Sequence, residues 1–477
     1  MSLFSSVKNH IELNLKWIIG LTWLVYLCYS VFFYVSRTMY MDAGYMSFNL
    51  INEEAFALEH QRFSFIYLQS LPLLLIKMNL SLKVVLLGMS IWSTLLYGII
   101  AWIFVKVFDE LPLALLWIAM LIMPFKSLFH FALCESFMSI GFSILVLGYI
   151  MYLNKNKLNF KRYNFIVLLF LVLSTLFFHP SSILYLGIIG AYYFFNHGLD
   201  SYFKRFVFSM LIGVVLYLFL KPSSGYDETI LNQFFSKSVV ANLFDSYLFD
   251  YLHGNWSGFY LFFILLIGAI CIYFVVQKKY WIALIYILSV FVVLLLCAIV
   301  YYKGDSVYFM EKNLAPFCLS IIIPIHYVLK QHSKSWITIV LVVFVFGVNL
   351  VQIYKVGLEF TERTEKVEKL LDVMAINACN KGVFSAELYH YSENIGIWSL
   401  PYETLMLSRL KGNKSISVFP ALSAQKKLIE IGAKNVFLGA DFFPPIPINE
   451  LRFNKVYFNH LNGNYCDIDG FIKQKNQ

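Results

Sequence analysis

The stretch 280–302, YWIALIYILSVFVVLLLCAIVYY, decides the fold class of this chain. It contains no Asp, Glu, Lys or Arg, and a transmembrane helix needs about 20 predominantly apolar residues. Lys278 and Lys279 precede the stretch, and Lys303 follows it. An apolar run of this length with charges at its ends predicts a helix that crosses a membrane.

Most of the chain has a similar apolar composition. Hydrophobic residues make up 60% of the 477 residues and charged residues 14%, whereas a soluble domain carries about 25% charged residues. The composition excludes a soluble enzyme and a disordered chain, and it predicts a polytopic α-helical membrane protein. We predict eleven spans, at 17–36, 84–107, 111–131, 136–153, 164–179, 181–197, 206–220, 258–277, 280–302, 316–330 and 336–356.

Charged residues become about twice as frequent after the last predicted span. We therefore divide the chain into a membrane domain, 1–356, and a soluble C-terminal α/β domain, 357–477. In the latter we expect a helix at 361–379 and a second helix at 423–434. Short strands are expected in the runs VFSAE, SISVFP, NVFLG and KVYFN, which together with the second helix predict a βαβ unit.

Two cysteines lie in the predicted C-terminal domain. Cys379 and Cys466 could form a disulfide if this domain lies outside the cytosol, but their separation in sequence does not determine their separation in space. The sequence therefore leaves the pairing open.

The apolar run 63–78 decides the topology. If this run lies along the membrane surface, the predicted cytosolic segments hold 13 Lys and Arg against 4 acidic residues, and they include the basic loop NKNKLNFKR at 154–162. If it crosses, that basic loop faces outward, against the positive-inside rule. We therefore expect 37–83 to hold interfacial helices, the N-terminus to be cytosolic and the C-terminal domain to be extracytoplasmic. The net charge of +9 then reflects topology rather than a nucleic-acid-binding surface.

The first external loop carries the first candidate for chemistry. Asp42 follows the first span closely, and an amphipathic stretch at 43–60 suits a helix lying in the membrane interface. A polar group, His60, Gln61 and Arg62, comes next. For Asp42 alone, a solvated loop carboxylate or a helix N-cap is the simpler interpretation. Its position near a span end, ahead of two interfacial helices, favours a functional role.

This order of features resembles the GT-C superfamily of integral membrane glycosyltransferases, in particular the bacterial protein-mannosyltransferase-like and lipid A aminoarabinose transferase-like enzymes. The resemblance rests on Asp42, on the segment HQRFSFIYLQSLPLLLIKM after it, and on Glu135 after the third span. It extends to Lys312 in YFMEKNLAP before a late span, where the family often has arginine. The paired prolines of the family segment are absent, with Phe63 and Ser64 in their place.

The resemblance implies sugar transfer from a polyprenyl-phosphate-linked donor to an acceptor at the external face of a bacterial inner or plasma membrane. Asp42 is then the expected catalytic base and Glu135 a second catalytic carboxylate that positions the acceptor or shares a divalent metal ion. Residues expected to bind the donor phosphate or substrate are His60, Arg62, Lys312 and Lys303.

The sequence leaves the sugar, the metal dependence and the acceptor open, and the acceptor could be a lipid, a glycan or a protein. His179, in the sequence FFHPSS, could bind a metal, contact the donor or form a turn before the next helix. Two other functions also fit a polytopic protein: an O-antigen-type polymerase or ligase, and a lipid-linked glycan transporter or flippase. The acidic residues of the first two external loops argue against the former, and the absence of an internal repeat argues against the latter.

Overall fold

The computed structural model describes residues 2–158, 161–220, 261–300, 311–332, 336–385, 398–421, 436–440, 445–447, 453–459 and 463–469, with 246, 248 and 461. Helices account for most of them. The first ten are α1 (Ser2–Phe32), α2 (Tyr34–Met39), α3 (Met41–Glu53), α4 (Ile66–Lys77), α5 (Leu82–Trp102), α6 (Leu111–Ile122), α7 (Glu135–Lys155), α8 (Arg162–Leu176), α9 (Ser182–His197) and α10 (Ser201–Leu220). They are followed by α11 (Leu261–Val276), α12 (Tyr280–Val300), α13 (Ala315–His332), α14 (Trp336–Ile376) and α15 (Leu400–Leu410).

The chain is a helical membrane-embedded protein, as its composition predicted. Among the described residues, six helical segments are long and apolar enough to cross a membrane, and shorter apolar helices occupy several of the other predicted runs. The total of eleven spans remains a prediction. The six long segments are Glu12–Phe32, Leu82–Val107, Glu135–Lys155, Ser201–Leu220, Tyr280–Ile299 and Trp336–Ile376.

One predicted span is shorter than expected. The sequence predicted a helix over 111–131, but α6 ends at Ile122. Pro124 stands just beyond that end; it has no backbone N–H to continue the helical hydrogen bonds, and its ring crowds the carbonyl four residues earlier. The chain continues as a buried irregular segment, 123–134, with a 3₁₀ turn at Leu128–His130. This segment leads directly to Glu135.

The helix expected at 43–60 is also shorter. It corresponds to α3, which ends where Glu54 adopts left-handed backbone dihedral angles. The following loop is fixed by Gln69, whose side-chain amide accepts from the Ala57 N–H at 2.8 Å and donates to the Ala57 carbonyl at 2.9 Å. After two 3₁₀ turns, Glu59–Gln61 and Phe63–Phe65, the apolar run becomes α4.

The last long helix runs through the predicted domain boundary. A span at 336–356 and a separate helix at 361–379 were expected, but α14 continues without a break from Trp336 to Ile376. Arg363, on its second half, donates from Nη1 and Nη2 to the two carboxylate oxygens of Glu403 in α15, at 2.5 and 2.8 Å. Both side chains are buried. This bidentate pair fixes α15 against the long helix.

A small parallel sheet follows α14. Its strands are β1 (Lys381–Ser385), β2 (Ser417–Ala421) and β5 (Cys466–Asp467), in the order β2-β1-β5, and α15 lies between β1 and β2 in sequence. β3 (Val436–Phe437) and β4 (Ile446–Pro447) form a separate antiparallel pair. Three of the four predicted strand runs therefore contain strands, whereas KVYFN forms turns, and the helix predicted at 423–434 lies outside the described residues.

Cys379 and Cys466 form a disulfide with a Cα–Cα distance of 6.2 Å. The sequence had left this pairing open. Because Cys379 comes just before β1 and Cys466 lies on β5, the bond links neighbouring strands of the parallel sheet. It joins the end of the long helix to the last described segment of the chain.

The C-terminal region packs directly against the segment that the sequence predicts as the first external loop. Asn454 donates its backbone N–H to Asn52 Oδ1 at 3.0 Å and its side-chain amide to the Ile51 carbonyl and to Glu54 Oε1, at 3.0 and 2.8 Å. The rings of Phe48 on α3 and of Tyr402 on α15 lie 5.1 Å apart. The end of α3 is therefore held between the membrane helices and the C-terminal region.

Candidate functional site

Asp42 is the second residue of α3, just after a sharp elbow between α2 and α3. Tyr40 is extended at this elbow, and Met41 has a φ of 47°. Gly44 makes the elbow possible, because a Cβ at this position would lie 2.1 Å from the carbonyl oxygen of Met39. The carboxylate of Asp42 is in the first turn of α3, where the helix dipole favours negative charge, and its side chain is exposed.

A buried cation holds the helix that leads to Asp42. Arg37 is 1% exposed, and its guanidinium donates to Ser90 Oγ at 2.8 Å, to Ser93 Oγ at 3.0 Å and to the Phe129 carbonyl at 2.5 Å. It also stacks 4.0 Å from the centroid of the Phe129 ring. These contacts connect α2, α5 and the segment 123–134, so Arg37 fixes the elbow against both neighbours of the site. No pattern in the sequence pointed to this residue.

Glu135 lies at the centre of an ion cluster. Its Oε1 accepts from Arg62 Nη1 and from Lys312 Nζ, both at 2.5 Å. The side chains of Glu135, Arg62 and Lys312 are 6%, 11% and 16% exposed, so solvent screens these pairs weakly. One carboxylate therefore holds two cations that come from distant parts of the sequence.

Local structure explains how the three side chains meet. Glu135 is the first residue of α7, Arg62 lies between the two 3₁₀ turns that precede α4, and Lys312 lies just before α13. The residue beside Lys312, Glu311, accepts from the backbone N–H groups of Ser127 and Leu128, with the shortest bonds at 3.0 and 2.8 Å. Glu311 thus anchors Lys312 to the segment that ends at Glu135.

Asp42 belongs to the same electrostatic environment. Its pKa is raised by the dense protein around it, although the carboxylate remains open to water, and the negative charge of Glu135 adds to this effect. The charges of Lys312, Arg62 and His60 act in the opposite direction. No hydrogen bond or ion pair joins the Asp42 carboxylate to another residue in the part of the chain that the structure describes. Asp42 is therefore an accessible carboxylate with a raised proton affinity beside a fixed ion cluster.

Lys312 remains protonated at neutral pH in this environment. Burial acts to lower its pKa, but the carboxylates of Glu135 and Asp42 outweigh burial and raise it. The ammonium is therefore positively charged, bound to the Glu135 carboxylate and under the influence of Asp42.

The structure accounts for the remaining predicted residues in different ways. His60, with a φ of 51°, lies in the turn before Arg62 and is near enough to act on the pKa of Asp42. His179 Nδ1 is 2.7 Å from Ser181 Oγ and accepts from the Ser181 N–H at 3.2 Å, which is the turn before α9 that the sequence suggested. Lys303 lies outside the described residues.

A divalent metal ion fits poorly here. Metal-binding carboxylates must offer free oxygens, whereas Oε1 of Glu135 is already held by two cations. Within the described ranges, no group of three or more His, Cys, Asp or Glu residues has the arrangement of a metal site. The positive charge that a metal would supply is present as Arg62 and Lys312.

Among the described residues, the buried acceptor Gln61 Oε1 next to Arg62 lacks a hydrogen-bond partner, and so do three buried donors beside the ion cluster. The three donors are Arg62 Nε, Ser136 Oγ and Asn313 Nδ2, and each belongs to the cluster or to a residue next in sequence to it. Buried polar groups are normally paired, because leaving one unsatisfied costs about 1–3 kcal/mol. These N–H and O–H groups can donate to the oxygens of a bound molecule.

Comparisons with protein-family models, with curated proteins and with solved structures find no match to this chain.

Proposed function

We propose that this chain is a glycosyltransferase that moves a sugar from a polyprenyl-phosphate-linked donor to an acceptor hydroxyl or amine. The observation that carries this proposal is the placement of Asp42, an accessible carboxylate with a raised pKa, beside two fixed cations and three unsatisfied buried hydrogen-bond donors. Such a site combines a proton acceptor with a place to hold an anionic leaving group.

In the proposed reaction, the acceptor oxygen or nitrogen attacks the anomeric carbon of the donor sugar. The new bond to the anomeric carbon forms as the bond between that carbon and the phosphate oxygen breaks. Asp42 takes the proton of the acceptor, and the electron pair of the broken bond leaves on the polyprenyl phosphate. Atoms and charges balance without a metal ion or a further reactant.

Arg62 and Lys312 are the groups proposed to stabilise the leaving phosphate. Glu135 uses a single oxygen to hold one nitrogen of each, so other N–H groups of the guanidinium and the ammonium remain available to the phosphate. The role of Glu135 is then to hold the two positive charges close together against their mutual repulsion. This is a narrower role than the second catalytic carboxylate expected from the sequence.

An apolar cleft suits the lipid part of the donor. A cavity of about 490 Å³ lies between α9, α12 and α13, with Ile188, Ile285 and Ile323 among the residues that line it. Its lining includes Ser320, eight residues after Lys312, which corresponds to about 12 Å along a helix. A prenyl chain in this cleft could thus begin near the cations and continue among apolar side chains.

The predicted topology places this chemistry on the extracytoplasmic side. The site lies at the end of the bundle that carries the first external loop, opposite the basic segments expected in the cytosol. We propose accordingly that donor and acceptor meet outside the cytosol, at the surface of a bacterial inner or plasma membrane.

The test is transfer by the purified protein in detergent. The protein is incubated with a panel of polyprenyl-phosphate sugars and with a glycan and lipid extract of bacterial envelopes, with and without a divalent cation, and released polyprenyl phosphate is measured. We expect release with at least one donor, and a loss of about 10²–10⁴-fold in Asp42→Asn, the range in which a general base contributes.

Asp109→Asn provides a matched control. The Asp109 side chain is 83% exposed and pairs with Lys155 at the opposite end of the bundle, so the same chemical change there should leave transfer intact. Full activity of Asp42→Asn would refute the assignment of the base. Absence of release with every donor, from protein that is folded and monodisperse, would refute the proposed function.

A further inference from the structure

A second site lies along α3, beside the proposed active site. Asp42, Tyr45, Asn49 and Glu53 follow one another at intervals of three and four residues, so they lie on one face of the helix. The opposite side of α3 is buried against the membrane helices and the C-terminal region. This face extends from the carboxylate of Asp42 to the end of the helix, about 16 Å away.

A cavity of about 330 Å³ opens on this face, and we call it the aromatic cavity. It is bounded by α3, by the loop after α3 and by α15 and β4 of the C-terminal region. Four of its lining residues are aromatic, namely Tyr45, Phe48, Phe56 and Tyr402, and the Tyr45 ring lies 5.1 Å from that of Tyr402. The described residues that line it are Tyr45, Phe48, Asn49, Asn52, Glu53, Phe56, Ala57, Leu58, Glu59, Tyr402 and Ile446.

The aromatic cavity is held in shape from several directions. The Tyr45 hydroxyl donates to Glu59 Oε1 at 3.0 Å, and the two hydrogen bonds from Gln69 fix the loop at Ala57. On the other side, Asn454 binds the end of α3 through Asn52. A preformed cavity loses little conformational entropy when a ligand enters it.

The lining of the aromatic cavity selects a class of ligand. Aromatic faces pack against the C–H faces of sugar rings, while carboxylate and amide groups such as those of Glu53, Glu59 and Asn49 bind sugar hydroxyls. The described lining residues include these two carboxylates and no Lys, Arg or His. Such a lining repels anionic sugars and attracts a sugar that bears a protonated amine.

We propose that the aromatic cavity binds a glycan containing a free amino sugar, and that this glycan is the acceptor. Because Tyr45 is one turn along α3 from Asp42, a glycan seated in the aromatic cavity can extend its terminal sugar to the proposed base. The acceptor role rests on the proposed function, whereas the binding of amino sugars does not.

Calorimetric titration of the full-length protein, without donor, tests the binding. The probes are the β-1,4-linked trimer of glucosamine, its N-acetylated counterpart and trigalacturonate. We expect the glucosamine trimer to bind at least about tenfold more tightly than trigalacturonate, with a difference that shrinks at high salt. We expect the double variant Glu53→Gln/Glu59→Gln to bind the glucosamine trimer at least about tenfold more weakly.

Glu362→Gln is the matched control, since Glu362 is 69% exposed on α14 and pairs with Lys366, outside the aromatic cavity. It should leave binding unchanged. The absence of binding by all three trimers would overturn the proposal, as would equal affinity for the glucosamine trimer and trigalacturonate. Unchanged affinity in the double variant would overturn it as well.

The same measurements separate this inference from the proposed function. Asp42→Asn should bind the glucosamine trimer like the unaltered protein while losing transfer. If the trimer binds but no donor is ever consumed, the transferase proposal fails and the sugar site stands. If transfer occurs but the trimer does not bind, the sugar site fails and the transferase stands.

Discussion

Replacing Glu135 with glutamine should destabilise the protein far more than replacing Asp42 with asparagine. In Glu135→Gln, the side chain keeps its shape but loses the charge that holds Arg62 Nη1 and Lys312 Nζ, each at 2.5 Å. Each charge-assisted hydrogen bond contributes about 1.5–3 kcal/mol. Leaving a buried ion without its partner costs about 3–5 kcal/mol. We therefore expect a loss of about 3–5 kcal/mol in the free energy of unfolding.

Asp42→Asn should behave differently, because the Asp42 side chain is exposed and pairs with no described residue. Its effect on stability should stay within about 0.5 kcal/mol, as for other surface substitutions. The assay is unfolding of the purified protein in mixed micelles by increasing fractions of sodium dodecyl sulfate, followed by circular dichroism. Stability and transfer should thus be lost together in Glu135→Gln, and transfer alone in Asp42→Asn.

A double-mutant cycle tests whether the ion cluster is the cause. Lys312→Met removes the ammonium with little change in shape, so the double variant Glu135→Gln/Lys312→Met no longer leaves Lys312 as an unpaired buried cation. The loss in free energy of unfolding in the double variant should be smaller than the sum of the losses in the two single variants, by about 1–3 kcal/mol. Additive effects, or a Glu135→Gln variant as stable as the unaltered protein, would refute the reasoning.

Three further predictions follow from single features. Because the dense protein around Asp42 raises its pKa, the transfer rate should begin to fall with decreasing pH while the pH is still above the ordinary Asp pKa of about 3.9. A pH–rate profile whose acid limb lies at or below that value would contradict this. Gly44→Ala should cost about 1–3 kcal/mol by crowding a backbone carbonyl, whereas Gly187→Ala, where a Cβ meets nothing within 4 Å, should not destabilise; equal unfolding midpoints would argue against this. Breaking the bond between Cys379 and Cys466, 87 residues apart, should lower the stability of the C-terminal region by about 4–5 kcal/mol. The melting temperature should therefore fall under reducing conditions. Cys466→Ser should show the same lower melting temperature, and reductant should not change it further.

The helices were largely predictable because burial in a membrane requires long apolar runs, which the sequence displays directly. The ends of helices were less predictable. Pro124 explains the early end of α6, but the end of α3 depends on the left-handed conformation of Glu54, a residue type that rarely adopts it. The continuation of α14 past residue 356 could not be read from hydropathy either, because the helix persists where the apolar character ends.

The candidate site was partly predictable. Charged residues near span ends are few, so Asp42, Arg62, Glu135 and Lys312 stood out, and all four lie in one electrostatic environment. Their pairing was not predictable, since contacts between residues 73 and 177 positions apart depend on how the helices pack. The role of Arg37 was not predictable either, because its hydrogen-bonding partners are serine hydroxyls and a carbonyl rather than an acidic residue.

The unbroken length of α14 limits how the C-terminal region can move. A helix of 41 residues is about 60 Å long, roughly twice the thickness of the hydrocarbon core of a bilayer. A rod of this kind cannot be shortened, and Arg363 and Glu403 clamp α15 to its upper part. The distance between the sheet and the apolar first half of α14 is therefore fixed. The gap between the sheet and α3 can then widen only if the sheet rotates about the axis of α14. This restriction limits the size of a molecule that can enter from the side.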